Sequence, residues 1–401
     1  MKSALPCVLT INAGSSSIRF AVYDAGVALQ RRLDGKIDRV GLSGTTLIVN
    51  DVAGTPQTPP LHIDAVDHRA ALGFLLHWLD AQPVFASVKA VGHRVVHGMQ
   101  HSQPELVTSK LLAELRRITP YAPDHLPREI GLIEALRKKH PGLPQVACFD
   151  TAFHRTMPSV ARLLPIPRHF AAEGVERYGF HGLSYAYLMQ ELSRSDRAAA
   201  KGRVILAHLG SGASLAAVHR GRSMDTSMGF TPTAGLVMST RSGDLDPGLG
   251  YYLARTERMS SARFQHMVNH ESGLLGVSGI SSDVRDLLAL EDHDARAAEA
   301  VSLFCYQAKK WIGSYAAALG GLNTLVFAGG IGENAPVIRK RICEGLGFLG
   351  ITLHPTRNAN NASVISTDTG RVVVRVIRTD EERMIAQSVI RILKLGSARE
   401  I

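Results

Sequence analysis

Two segments of this 401-residue chain, nearly half its length apart, follow one plan: an apolar run, a Gly-centred tight turn, and a second apolar run. VLTINAGSSSIRFAVYD pivots on Gly14 and VILAHLGSGASLAAVHRG on Gly210, with Ser15 and Val22 matching Ser211 and Val218 at one offset. Each reads as a β-hairpin, over 4–24 and 203–220, whose turn needs glycine for positive φ or for close approach of another group. A repeated hairpin at this distance predicts duplicated α/β domains around a cleft lined by glycine turns.

A third glycine element supports the same plan. TLVFAGGIGENAPVIRKRIC reads as a strand over 325–328, a loop through Gly329–Asn334 and a helix starting near Pro336. Backbone N–H groups exposed at such a junction attract anions, so phosphate is the natural ligand. The chain lacks G-x-x-x-x-G-K-[ST], which excludes a P-loop, and GGIGEN does not fit G-x-G-x-x-G. Helical periodicity falls over 67–79, 109–117, 127–139 and 183–192.

Composition narrows the function classes. With 45% hydrophobic and 20% charged residues the chain has the make-up of a globular protein, and no run reaches the roughly 18 apolar residues of a membrane span. Lys2 precedes a short apolar run with no small-residue cleavage site, so the N-terminus predicts no secretory signal and a cytoplasmic protein. The cysteines at 7, 148, 305 and 343 form no C-x-x-C pair, which fits a reducing compartment and argues against zinc or a disulfide framework. His93, His97 and His101 have helical spacing, but Gly92, Val95, Val96 and Gly98 argue against a helix and therefore against a metal site there. The formal charge of +10 is spread along the chain, with no nucleic-acid motif, and points to small anions, phosphates or carboxylates.

Four polar clusters could carry chemistry: GHRVVHG, CFDTAFH, RYGFHG and DTSMGFTPTAGLVMSTRSGDLDP. Arg94 sits among apolar neighbours, where a guanidinium needs an anion, either a ligand or a neighbouring carboxylate. Asp150 follows the apolar run 145–149, at a strand end, where ligands of α/β folds collect; it could equally cap the next turn. His181 reads either as a core histidine or as a group aimed into the cleft, and Arg241 has Asp244 and Asp246 close by in sequence. Glycine turns, two arginines in tight contexts, a histidine and a few acids, without a Ser-His-Asp or Cys-His signature, are what phosphoryl transfer asks for.

On INAGSSSIRF, GHRVVHG, FDTAFH, RYGFHG, HLGSGAS, DTSMGFTP, TRSGDLDP, GGIGEN and TDEERMIA, in this order and spacing, the chain resembles the acetokinase family of the sugar kinase, Hsp70 and actin superfamily. The resemblance implies two actin-like (ribonuclease H-like) domains, 1–151 with 383–401 and 152–382. It implies Mg2+, with Mn2+ as substitute, held by Asn12 and Glu381, and an acid's carboxylate bound by Arg94. Val96, Phe180 and Pro232 would wall the acid's alkyl end. Asp150 would be the active-site acid, read here as an organiser of Arg241 or of the metal shell, and His181 and Arg241 would contact the transferring phosphoryl group. ATP would lie on His208, Leu209, Gly210, Ser211 and Gly212, on Asp283, Val284 and Arg285, and on Gly330, Ile331, Gly332, Glu333 and Asn334, with Arg19 and the serines of the first turn near the phosphates. A homodimer using acetate and ATP is implied, with a propionate kinase as the nearest rival and an acid-independent actin- or Hsp70-like ATPase as a more distant one.

Three positions depart from the family's pattern: Arg19 stands where Lys is usual, Ser211 where Asn is usual, and Asp124 where Leu is usual in the pocket wall.

Overall fold

The computed structural model describes residues 5–14, 17–26, 28–40, 44–50, 56–65 and 67–396, without the side chains of 56–58. Ser15 and Ser16 therefore lie outside the described residues. The chain divides into two compact units, Met1–Ala152 with Asp380–Ile401, and Phe153–Thr379. The return to the first unit thus begins before residue 383, and Asp380, Glu381 and Glu382 go with the first unit instead of the second.

The first unit holds an eight-stranded sheet of order β5-β4-β3-β2-β1-β6-β8-β7. Its strands are β1 (Cys7–Ala13), β2 (Ser17–Asp24), β3 (Arg31–Asp38), β4 (Thr46–Asn50), β5 (Pro56–His62), β6 (Val88–Val95), β7 (Glu105–Leu106) and β8 (Gln145–Phe149). The second holds five, β9 (Arg203–Leu209), β10 (Ala213–His219), β11 (Arg222–Thr226), β12 (Thr324–Ala328) and β13 (Val373–Val376), in the order β11-β10-β9-β12-β13. Without β4, β5 and β7 the two sheets share one pattern. An antiparallel meander (β3-β2-β1; β11-β10-β9) continues into two parallel strands (β6, β8; β12, β13). The hairpin repeat is therefore one visible part of a whole duplicated topology.

Residue chemistry explains the layering. β1, β8 and β12 are buried along their whole length, as continuous apolar runs flanked by strands on both sides should be. In the first unit Leu72, Leu75, Leu76 and Leu79 of the helix His68–Asp80, and Leu132 and Leu136 of the helix Leu126–Lys139, pack on Leu9, Ile11, Phe20 and Val91. Pro lies in the first turn of the 126–139 helix and Asp67 caps the 68–80 helix by accepting from Ala70 N–H. In the second unit Tyr185, Leu188 and Leu192 of the helix Gly182–Ser195 cover Val204, Leu206, Ala216 and Val326.

The other face of the first sheet receives the last helix, Glu381–Leu393, capped by Asp380. Gly92 allows this approach: a Cβ there would stand 2.4 Å from Ile385 Cγ2 and 2.6 Å from Val389 Cγ2. The segment GHRVVHG contains the end of β6, so His93 lies on a strand, fully buried and bonded to Gln145 (2.6 Å). One element differs from its sequence reading. Gly329–Asn334 is a short helix directly after β12 and not a loop, because Gly329 at φ +76 turns the chain where any Cβ would meet Leu209 O at 2.6 Å.

Candidate active site

In the first unit β1, β6 and β8 run parallel, so their carboxyl ends form one edge, the place where open α/β sheets bind ligands. Asn12 closes β1, Arg94 nearly closes β6, and Asp150 follows β8 with its N–H on Val95 O (2.9 Å). Arg94 donates from Nε to Asp150 Oδ2 at 2.8 Å, with Nη2 at 2.6 Å from the same oxygen, and from Nη1 to Ala13 O at 3.2 Å. The Arg94 side chain is 12% exposed and that of Asp150 1%. Asp150 thus holds Arg94 through one oxygen, and its Oδ1 is buried without a partner among the described residues. Guanidinium N–H groups on Nη1 and Nη2 beyond those facing Asp150 and Ala13 remain for a further anion.

Asn12 Nδ2 donates to Glu381 Oε2 (2.8 Å) and Glu382 Oε1 (3.2 Å), both in the first turn of the 381–393 helix. Burial, and then the neighbouring Asp150, push Glu381 above the usual carboxylate range against the pull of Arg94, Asn12 and Arg19. Glu382 is raised in the same direction, by burial first and with Glu381 adding to it. Burial opposes the charge on Arg94, yet Asp150, Glu381 and Glu129 together hold it above its ordinary value. Arg19, cross-strand from Asn12, is exposed and lowers both glutamates' tendency to hold a proton. These groups fit a hard divalent cation: an amide and carboxylates supply oxygen donors, and desolvated carboxylates gain from a cation. Among the described residues no group of three or more His, Cys, Asp or Glu side chains is placed to hold a metal ion by itself.

In the second unit His181 occupies the left-handed region (φ 58) at the N-cap of the 182–195 helix. Its Nδ1 is 2.8 Å from Ser214 Oγ, which is 2.5 Å from Tyr185 OH, and its ring stacks on His208 at 4.4 Å. His208 Nδ1 in turn bonds Ser184 Oγ, itself bonded to Thr379 (each 2.8 Å). The turn after β9 carries Gly210, Ser211 and Gly212; a Cβ on Gly212 would be 3.1 Å from His181 Nε2 and 3.3 Å from Arg241 Nη2, so two basic groups converge on this glycine. Arg241 Nη1 donates to Pro232 O (2.8 Å). Phe180 is buried and gives its carbonyl to His154, while Leu209 is wholly buried and can offer a ligand only backbone.

Within Gly329–Asn334 the roles divide. Glu333 Oε1 ties Gly329 N–H (2.9 Å) to Thr379 N–H (3.0 Å), and Asn334 Nδ2 closes on Gly330 O (3.0 Å), while Gly330 is exposed. Asp283 caps the helix Val284–Leu290 and pairs with Arg285 (2.5 Å); Arg285 is exposed, Val284 buried. Fully buried Arg339 donates to the carbonyls of Gly332 (2.9 Å) and Glu333 (3.0 Å) and to Asn358.

Sequence reasoning missed Glu129, Glu382, Ser214, Tyr185 and Arg339. Glu129 accepts from Val96 N–H (3.0 Å), is 3% exposed, and burial pushes it up to about 7 against Arg94 and that hydrogen bond. A signal existed: Glu129 falls on the same helical face as Leu126, Ile130 and Ile133.

The paired sheets and glycine turns define a protein of the actin-like α/β architecture shared by ATP-using kinases. The family described as "Acetokinase family" matches residues 7–387, and the chain belongs to it. It is 45% identical to an acetate kinase of Rhodopseudomonas palustris over 97% of this chain and 99% of that protein. Among solved structures it is similar to the acetate kinase of Porphyromonas gingivalis (TM-score 0.85, 36% identity, 97% of this chain and 100% of that one). It is also similar to a propionate kinase of Francisella tularensis (TM-score 0.89, 35% identity, 96% and 99%).

Proposed function

We propose that the protein is an Mg2+-dependent kinase that transfers the γ-phosphoryl group of ATP reversibly to acetate, giving acetyl phosphate and ADP by direct in-line transfer. The observation that carries this reading is Arg94, braced by Asp150 and Ala13 O at the strand edge with N–H groups to spare, next to the apolar Val96. A small carboxylic acid titrates near ~4.3, so at neutral pH the nucleophile is already ionised and no general base is needed. The obstacle is charge: a carboxylate must approach a triphosphate, and positioned cations answer it.

Arg94 binds the acid's carboxylate, Val96 bounds its alkyl end, and Asp150 keeps the guanidinium oriented. Asn12 and Glu381 would hold Mg2+, with Mn2+ as substitute; bound there, the ion neutralises phosphate charge. In the second unit His181 and Arg241 bind the equatorial oxygens of the transferring group, with Ser214 fixing the His181 ring. The backbone of 208–212 and Gly330 takes the phosphates, and Asp283–Arg285 the rest of the nucleotide. Glu333 is read as the brace of that element and not as a direct ligand. A homodimer and a cytoplasmic location complete the reading; no described helix is long and apolar enough to cross a membrane.

The test is acetyl hydroxamate formation from ATP, acetate and Mg2+ with hydroxylamine, against Arg94→Ala. Absence of product with the wild type, or an unchanged variant, rejects the reading. Propionate is the second acid to assay, favoured by the likeness to the Francisella enzyme; Asp124, half-buried where Leu is usual in the family, is the reason to include the more polar glycolate and the smaller formate. Acetate as the poorest of acetate, propionate, glycolate and formate would overturn the acetate assignment.

A further inference from the structure

Past Val95 the chain leaves the sheet, and side chains take over its amides. Val96 N–H donates to Glu129 Oε2 (3.0 Å), Gly98 N–H to Thr151 Oγ1 (3.1 Å) and Met99 N–H to His97 Nδ1 (3.2 Å). Of the three acceptors, all buried, Glu129 alone is a carboxylate. It stands in the first turn of the 126–139 helix, and its Oε1 has no partner among the described residues. The charged groups that bear on it are Arg94 and Asp150, and Arg94 is already committed to Asp150.

A buried carboxylate with one oxygen unmatched is costly, and a glutamine of the same shape would hold the Val96 amide equally well. What glutamate adds at this place is a negative charge beside the guanidinium. That charge opposes any further anion arriving at Arg94, while the hydrogen bond fixes the backbone of Val96.

We propose that Glu129 is a positioning residue of the acceptor site: one oxygen sets the place of Val96, and so the room for the acid's alkyl end, and its charge weakens the hold of Arg94 on a carboxylate so that the acid exchanges readily. The proposal rests on reading Arg94 and Val96 as the acid's site. It makes affinity for the acid adjustable from a residue that touches neither substrate.

Two variants separate the roles. Glu129→Gln keeps an acceptor for Val96 and removes the charge; Glu129→Ala removes both. At pH 8 the Gln variant lowers the KM for acetate roughly threefold to tenfold, with kcat and the KM for ATP within about twofold of wild type. It keeps the wild-type ratio of kcat/KM for propionate over acetate, which the Ala variant shifts by about threefold or more as Val96 loses its anchor. An unchanged or raised acetate KM in the Gln variant, or an equal change in the KM for ATP, overturns the proposal. Should the Ala variant fail to fold, the Gln variant alone decides through the split between the two KM values. A wild type that phosphorylates no acid rejects the functional reading and this inference with it; a wild type that does so, with Gln kinetics unaltered, rejects only the inference.

Discussion

The hairpins β1-β2 and β9-β10 occupy the same place in the same sheet order, yet their surroundings differ in kind. Around the end of β1 stand Arg94, Asp150, Glu129, Glu381 and Glu382, charges held with little water. Around the end of β9 stand glycines, backbone amides, two stacked histidines and hydroxyls, with Arg241 as the charge. One topology thus supports two chemistries. The first unit gathers several acids around one guanidinium, and the second gathers backbone amides, hydroxyls and imidazoles around another, a donor-rich cradle of the kind that suits phosphates.

The strongest way to break this contrast is to remove the second unit's charge. Arg241→Ala is expected to lower kcat by about 100-fold or more while the KM for ATP changes little, because a donor aimed at developing charge counts mainly in the transition state. A near-normal rate would reject the role given to Arg241. In the first unit Arg94→Ala acts on binding: the KM for the acid rises by about 10- to 100-fold with the KM for ATP unchanged. It also leaves Asp150 buried and unpaired, so thermal unfolding should show a loss of about 3–5 kcal/mol that Asp150→Ala does not add to.

A pH experiment sharpens the comparison further. The folded value of Glu129, about 7, lies above the ordinary 4.5, so the folded state binds more protons than the unfolded one between these values. This contribution to stability is present below pH 4.5 and is lost as pH rises through 7, by up to about 3 kcal/mol. Glu129→Gln should therefore raise Tm over wild type more at pH 8 than at pH 5; equal differences at both would show that the glutamate does not titrate there. The smallest effect is expected at Arg19→Lys, an exposed position where both residues keep the charge near Glu381 and Glu382. Steady-state constants should stay within about threefold, and a larger change would mean that the guanidinium fork itself binds.

Much of this was legible in sequence because it is local. Apolar runs around Gly14 and Gly210 specify hairpins, and the run before Asp150 specifies a buried strand with a polar group at its end. Pairing is not local. That Asp150 meets Arg94 follows from β6 and β8 lying side by side, and the registry of Arg94 with Cys148 cannot be read from either segment alone. Gly329–Asn334 resembled a loop because glycine has poor helix propensity; contacts to Leu209, Thr379 and Arg339 override it. Glu129 was hidden in the opposite way, as one more charge on an amphipathic helix. Only its buried side of that helix made it different.

The helix Glu381–Leu393, fitted against Gly92, also bears on when the protein becomes competent. The first unit emerges from the ribosome early, but the helix that covers its sheet and carries Glu381 is made only after the whole of 153–379. At roughly 5–20 residues per second that interval is on the order of ten to forty seconds. During it Asn12 lacks both its carboxylate partners and the apolar face around Gly92 has nothing upon it. Chain completion itself then acts as the timer, so that an unfinished polypeptide has no assembled Asn12–Glu381–Glu382 cluster at this edge and a truncated one never acquires it.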